Sequence, residues 1–266
     1  MSLSRTYSGT EPVRLNKFMG QSGLSSRREA DALIAEGLVS VDGETVLDAG
    51  RKILPGQTLT LAGAAQDKLD SAVTLLLHKP MGYVSGQPEP GKIPAARLLT
   101  AAAQLGDGAL PSSRDSLPPI GRLDEDSRGL LILSTDGVVA KAVIGPDADL
   151  PKTYQVWVRG TLTDSKIARL RFGLALDGRN LKRAEVEQIG PLCLRFVLRE
   201  GRNRQIRRMC EMLDLRVMDL WRTHIGPITL DGLPEGRWRH MTAAERASLV
   251  SPGAAEGGSG AGQAGT

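Results

Sequence analysis

Two cysteines, three histidines and an aromatic fraction of 3% leave this 266-residue chain short of several kinds of chemistry. Cys193 and Cys210 alone make no disulfide framework, so small buried thiols in a reducing compartment are expected. His78, His224 and His240 are scattered, without metal-ligand spacing, so no metal site is expected. No apolar run has the length of a membrane span, and the opening MSLSRTYSGTEPVR lacks the apolar core of a secretory signal. A cytoplasmic protein with no membrane partner is the expectation. Neither G-x-x-x-x-G-K-[ST] nor a G-x-G-x-x-G that opens a helix occurs, so no cofactor is expected.

Hydrophobic content of 41% and charged content of 24% describe an ordinary globular chain able to bury a sizeable core. The net charge of +4 suits a polyanionic partner without proving one. Residues 1–11 read as a flexible tail, and the Gly/Ala/Ser-rich stretch 250–266 as disordered. The polar, small-residue run AGAAQDKLDS marks a linker over 62–72. This divides the rest of the chain into two units, 12–61 and 73–249.

The first unit has clear punctuation. VRLNKFMGQSG fits a short helix ended by Gly20 or Gly23, and Ser26 with Glu29 makes a capping box for a second helix closing at Gly37. LVSVDGETVL is a hairpin turning at Asp42-Gly43, and a further strand follows Pro55-Gly56. Arg14, Lys17, Arg27 and Arg28 fall at the helix starts, where backbone N–H groups and cations can grip phosphate. Four basic residues taken alone are more often a solvated face.

In the second unit, TLLLHK, GLLILST, TYQVWVRG, LCLRFVLRE and RVMDLWRTHIG read as strands. DGVVAKAVIG, TDSKIARLRFG and NRQIRRMCEML read as helices, without regular strand–helix alternation. The fold class is therefore α+β, a mainly antiparallel sheet with flanking helices. Residues 101–119 read as a long flexible loop of open role.

Chemistry concentrates in two charged segments. GRLDEDSRGLLIL places Asp124, Glu125 and Asp126 at the mouth of an apolar strand. Adjacent carboxylates can hold Mg²⁺, but neighbours in a strand point to opposite faces, which disfavours chelation unless the chain turns. REGRNRQIRRMCEML puts Ile206, Met209, Cys210 and Leu213 on one face of a helix starting near Asn203. Arg204, Arg207 and Arg208 then share the other face, and with Arg202 they suit a polyanion or a buried acid.

The segment RLNKFMGQSGLSSRREADALIAEGLVSVDGETV resembles an S4 domain, a small RNA-binding module. After it come, in order, KPMGYVSG, GRLDEDSRGLLILSTDG, KTYQVWVRG and EGRNRQIRRM, which together resemble the RsuA-type family of RNA pseudouridine synthases. The C-terminal NRQIRRMCEML and RTHIGPITLDGLPEGRWRHMT look most like the family's 23S rRNA (RluF-like) branch, the small-subunit 16S enzyme being the nearest competitor. The resemblance implies an S4 domain followed by a pseudouridine synthase catalytic domain, and an isomerase that needs no cofactor. It implies Asp124 as the catalytic aspartate, Tyr154 as the tyrosine stacking on the target base and Arg207 as the cation paired with Asp124. Arg122 would reach into the RNA stack, and Arg14, Lys17, Arg27 and Arg28 would contact phosphates. The implied partner is ribosomal RNA, free or in pre-ribosomal particles, for a monomer. Ser127 stands where threonine is commonest in the family, keeping the hydroxyl. The alternatives are a non-catalytic S4-type ribosome-assembly protein and a metal-dependent nuclease using Asp124 and Asp126.

Overall fold

The computed structural model describes residues 3–86, 90–111, 117–146 and 148–250. The expected disordered stretch lies outside these residues except for Val250, as do residues 112–116 of the expected long loop.

The N-terminal unit is built on helices α1 (Leu15–Gln21) and α2 (Arg27–Ala35). They pack over a four-stranded antiparallel sheet in the order β1 (Leu3–Thr6), β4 (Thr58–Leu61), β2 (Val39–Val41), β3 (Glu44–Thr45). The Ser26 hydroxyl accepts from the Glu29 N–H while the Glu29 carboxylate accepts from the Ser26 N–H, so the capping box is formed on both sides. The Asp42-Gly43 turn has positive φ at both residues, as a tight hairpin requires. Leu15, Met19, Ile34, Ile53, Leu59 and Leu61 are fully buried and form this unit's own core.

Two expectations are corrected here. Residues 3–6 are not a loose tail: they form an edge strand along β4, with Ser4 and Thr6 hydroxyls bonded to Thr60 and Thr58. Its polar, outward side chains carry no apolar alternation, which is the signal that marks a strand in sequence. The linker over 62–72, read as a polar break between units, is largely a helix: α3 (Gly63–Asp70) occupies it and buries Ala65 against the N-terminal core.

The larger unit is one sheet whose main path runs β8 (Glu185–Gly190), β9 (Cys193–Leu198), β7 (Lys152–Arg159), β10 (Arg216–Ile225), β6 (Arg128–Ser134), β5 (Thr74–Lys79), β11 (Trp238–His240). Every neighbouring pair on this path is antiparallel except β6–β10. β5 and β6 bury nearly every residue, which is why both read as unbroken apolar runs. The parallel contact places Gly129 opposite Arg222. A Cβ there would lie 2.2 Å from the Arg222 carbonyl oxygen, and φ is +118°, so glycine is required. Helices α4 (Gly137–Ile144), α5 (Asp164–Arg171), α6 (Gln205–Glu211) and α7 (Ala243–Val250) flank the sheet. The segment before Pro119 is pinned at its start: the Trp238 indole donates to the Thr100 carbonyl at 2.9 Å, and Gln104 bridges to Trp238.

The two units touch. Glu29 Oε1 accepts from the Gly137 N–H at 3.0 Å, and the Lys141 ammonium donates to the Gly20 carbonyl. A Cβ on Gly137 would lie 2.3 Å from the Ser26 side chain, so glycine is what lets α2 approach α4.

Candidate active site

Asp124 lies in a turn that precedes β6, closed by the Ser127 N–H donating to the Asp124 carbonyl at 3.1 Å. Each carbonyl from Arg122 to Asp126 has a donor. Arg222 Nη1 donates to Arg122 O at 3.1 Å, and the Ser85 hydroxyl to Leu123 O at 2.8 Å. The Gly82 N–H donates to Glu125 O at 2.8 Å, and Arg207 Nη2 to Asp126 O at 2.6 Å. A turn with every acceptor engaged has little freedom to move, which suits a reactive group that must be held in place. The Asp124 side chain itself keeps 34% of its surface exposed.

The turn also brings Asp124 and Asp126 to one side, which strand geometry would not do. What sits between them is a guanidinium. Arg204 donates to Asp126 Oδ1 at 3.1 Å and Oδ2 at 2.9 Å, and reaches Asp124 Oδ2 at 3.4 Å. Burial works to raise the Asp126 pKa, but the hydrogen bonds from Arg204 and the charges of Arg207 and Arg204 outweigh it and hold the group below its usual range. Among the described residues no cluster of three or more His, Cys, Asp or Glu side chains could hold a metal ion.

The expected Arg207–Asp124 pair is corrected. Arg207 is buried, with Nε 3.3 Å from Asp126 Oδ2 and Nη2 3.2 Å from the Ser127 hydroxyl, and the cation that reaches Asp124 is Arg204. The cause is local. α6 starts at Gln205 rather than near Asn203, after Arg204 adopts the left-handed region at φ +48°. That start turns Arg207 toward the sheet, where Asp126 O and Val217 O need donors. Nε of Arg207 makes no hydrogen bond despite its short approach to Asp126.

Tyr154, half-buried on β7, stands in register between Phe196 and Arg222. Arg222 is 4% exposed and bonds Leu130 O as well as Arg122 O, so it ties the Tyr154 strand pair to the turn carrying Asp124. The sequence alone assigns no role to Arg222 or Ser85; the one signal is that Ser85 lies within KPMGYVSG. Lys79, from the same motif, is fully buried and donates to Pro80 O and Tyr83 O.

The arginines expected at RNA divide in two. Arg202 spends its guanidinium on Leu176 O, Arg179 O and Asn180 O, and Arg208 is paired with Asp177 at 2.6 Å, so both brace the hairpin beside α6. Arg14, Lys17, Arg27, Arg28 and Arg122 are exposed, with no side-chain hydrogen bond or ion pair among the described residues.

A rigid turn thus presents a partly exposed carboxylate beside an arginine, in a mainly antiparallel sheet preceded by a helix–helix–hairpin unit. Residues 73–212 match the family model of RNA pseudouridylate synthases, and residues 13–59 that of the S4 domain. A dual-specificity RNA pseudouridine synthase RluF of Escherichia coli O6:H1 is 36% identical over 89% of this chain and 78% of its own length. An RNA pseudouridine synthase of Aquifex aeolicus is 31% identical over 89% of this chain and 93% of its own. A pseudouridylate synthase crystal structure superposes with a TM-score of 0.60 at 24% identity, covering 90% of this chain and all of that one, and so shares the fold. The chain belongs to the RNA pseudouridine synthases, as an isomerase with an N-terminal S4 domain.

Proposed function

We propose that this chain isomerises one specific uridine of ribosomal RNA, in the 23S molecule, acting as a cytoplasmic monomer without a cofactor, with Asp124 as the catalytic carboxylate. The observation that carries the reading is the turn Arg122–Asp126, whose every carbonyl is engaged while the Asp124 side chain is left open. Pseudouridine formation breaks the N1–C1′ bond and joins C1′ to C5. N1 gains a proton and C5 loses one to solvent, so the reaction has no net redox change. Attack at C1′, attack on the base and removal of the C2′ proton each need Asp124 ionised. Arg204 Nη1, 3.4 Å from Asp124 Oδ2, is the cation that reaches this carboxylate.

Arg207 acts on Asp124 through the backbone, gripping Asp126 O and Ser127 so that the turn cannot shift. The target base must leave its stack, at a cost of about a few kcal/mol. Stacking on Tyr154 and insertion of the free Arg122 offset that cost. The resemblance of the C-terminal motifs to the family's 23S rRNA branch supports the 23S assignment, and the similar RluF of E. coli O6:H1 is named a dual-specificity RNA pseudouridine synthase.

The test is tritium release from [5-³H]uridine-labelled 23S and 16S transcripts. Release from 23S RNA is expected, without Mg²⁺-dependent shortening of the RNA. Release from 16S RNA alone moves the substrate to the small subunit, and RNA cleavage without release contradicts the isomerase reading.

A further inference from the structure

Leu123, the residue before Asp124, is 6% exposed, so its backbone N–H and carbonyl must find partners within the protein. Both end on one side chain. The Ser85 hydroxyl donates to Leu123 O at 2.8 Å and accepts from the Leu123 N–H at 2.9 Å. Arg222 and the Gly82 N–H each reach the turn at a single carbonyl. Ser85 engages both backbone groups of one residue, which fixes the rotation of the chain where it enters Asp124.

The segment that carries Ser85 is itself held. Gly82, at φ +84°, donates its N–H to Glu125 O at 2.8 Å, so one loop grips the residues on both sides of Asp124. The Lys79 ammonium closes the base of that loop on Pro80 O and Tyr83 O, and Tyr83–Val84 pairs with Ile93–Pro94 beyond it. Ser85 is buried, and a hydroxyl both donates and accepts. Alanine in its place leaves two buried backbone groups of Leu123 unpaired. The turn relieves that loss by rotating, and the adjacent carboxylate moves with it.

We propose that Ser85 is a positioning residue for the isomerisation: through Leu123 it holds the Asp124 carboxylate in place, without touching the RNA itself. This inference rests on the reading of Asp124 as the catalytic carboxylate and adds a residue on which its placement depends. Displacing a reacting group by about 1 Å can slow a reaction about a hundredfold. The RNA contacts made elsewhere do not change, so the loss falls on the chemical step and not on affinity.

The test is single-turnover tritium release by the full chain in saturating excess, on whichever of the labelled 23S and 16S transcripts the wild type modifies. Under these conditions the rate constant does not depend on the folded fraction of the protein. Ser85→Ala should lower it by about tenfold or more, with the dissociation constant for the RNA within about threefold of wild type. Ser85→Thr keeps the hydroxyl and should return the rate constant to within about threefold of wild type. Ser85→Cys, a weaker donor and acceptor of similar size, should lie between the two and replaces Ser85→Ala if that variant does not fold. Thr74→Val is the control: it removes a buried hydroxyl bond to Ser134 Oγ, 2.6 Å long, at the ends of β5 and β6 away from the turn. It should lower the unfolding temperature and leave the rate constant unchanged. A wild-type rate in Ser85→Ala or Ser85→Cys overturns the inference, as does a loss confined to affinity. So does a Ser85→Thr rate as low as that of Ser85→Ala, or an equal loss in Thr74→Val. No release by the wild type from either transcript overturns the proposed function itself.

Discussion

Lys79 places an ammonium at 0% exposure, held by the carbonyls of Pro80 and Tyr83 at 2.9 and 2.8 Å. Burial lowers its pKa to about 8, Arg222 pushes the same way, and Asp124, Asp126 and Glu125 oppose the shift. Unfolded lysine titrates near 10.4. Between these values the unfolded chain binds more protons than the folded one, so stability rises with pH across the window. Lys79 should contribute a gain of about 2 kcal/mol between pH 8 and pH 10. Urea unfolding of wild type and Lys79→Met at both pH values checks it; a difference between the two proteins that does not change with pH contradicts it. Arg207 gives a second residue-scale expectation. Because it acts through Asp126 O and Ser127, Arg207→Ala should lower kcat at least tenfold with KM changed less than threefold. An equal loss in both would make it an RNA contact instead. The charged segment ahead of β6 was readable from its run of acids and arginines, whereas which cation reaches Asp124 was not. That choice depends on where α6 begins, and a shift of two residues turns the helix by about 200°.

Among the elements, α1, α2, α4, α5 and α6 and the strands β5, β6, β7, β9 and β10 fall on the runs read from the sequence, whereas β8 and α7 were not read there. The edge strand β1 and helix α3 were not legible because each is largely polar and is ordered by contact with a core formed elsewhere. Glu29 shows the same limit in one side chain. Its capping box was readable three residues from Ser26, but its second bond, to the Gly137 N–H, joins residues 108 apart in sequence. Glu29→Ala should lose about 1 kcal/mol of stability from the cap. It should also speed tryptic cleavage after Lys141 of α4, whose ammonium is held by the Gly20 carbonyl while the two units stay together. A cleavage rate equal to wild type would show that the Glu29–Gly137 bond does not hold the units together.

At the scale of the molecule, the sheet brings together segments far apart in the chain. β5 delivers Lys79, the β6 approach carries Asp124, β7 carries Tyr154, and β10 carries Arg222. The α+β class was readable from element order. The strand order was not, because the β6–β10 parallel contact depends on Gly129 admitting the Arg222 backbone. The rigid turn is the product of that assembly, since its donors come from Ser85, Gly82, Arg207 and Arg222. The central claim is that one carboxylate on this turn performs the chemistry while its neighbour serves the frame. Single-turnover tritium release by Asp124→Asn and Asp126→Asn on the same RNA measures it most directly. The account predicts no release from Asp124→Asn with RNA still bound, and reduced but measurable release from Asp126→Asn. Release from Asp124→Asn at the wild-type rate would contradict it.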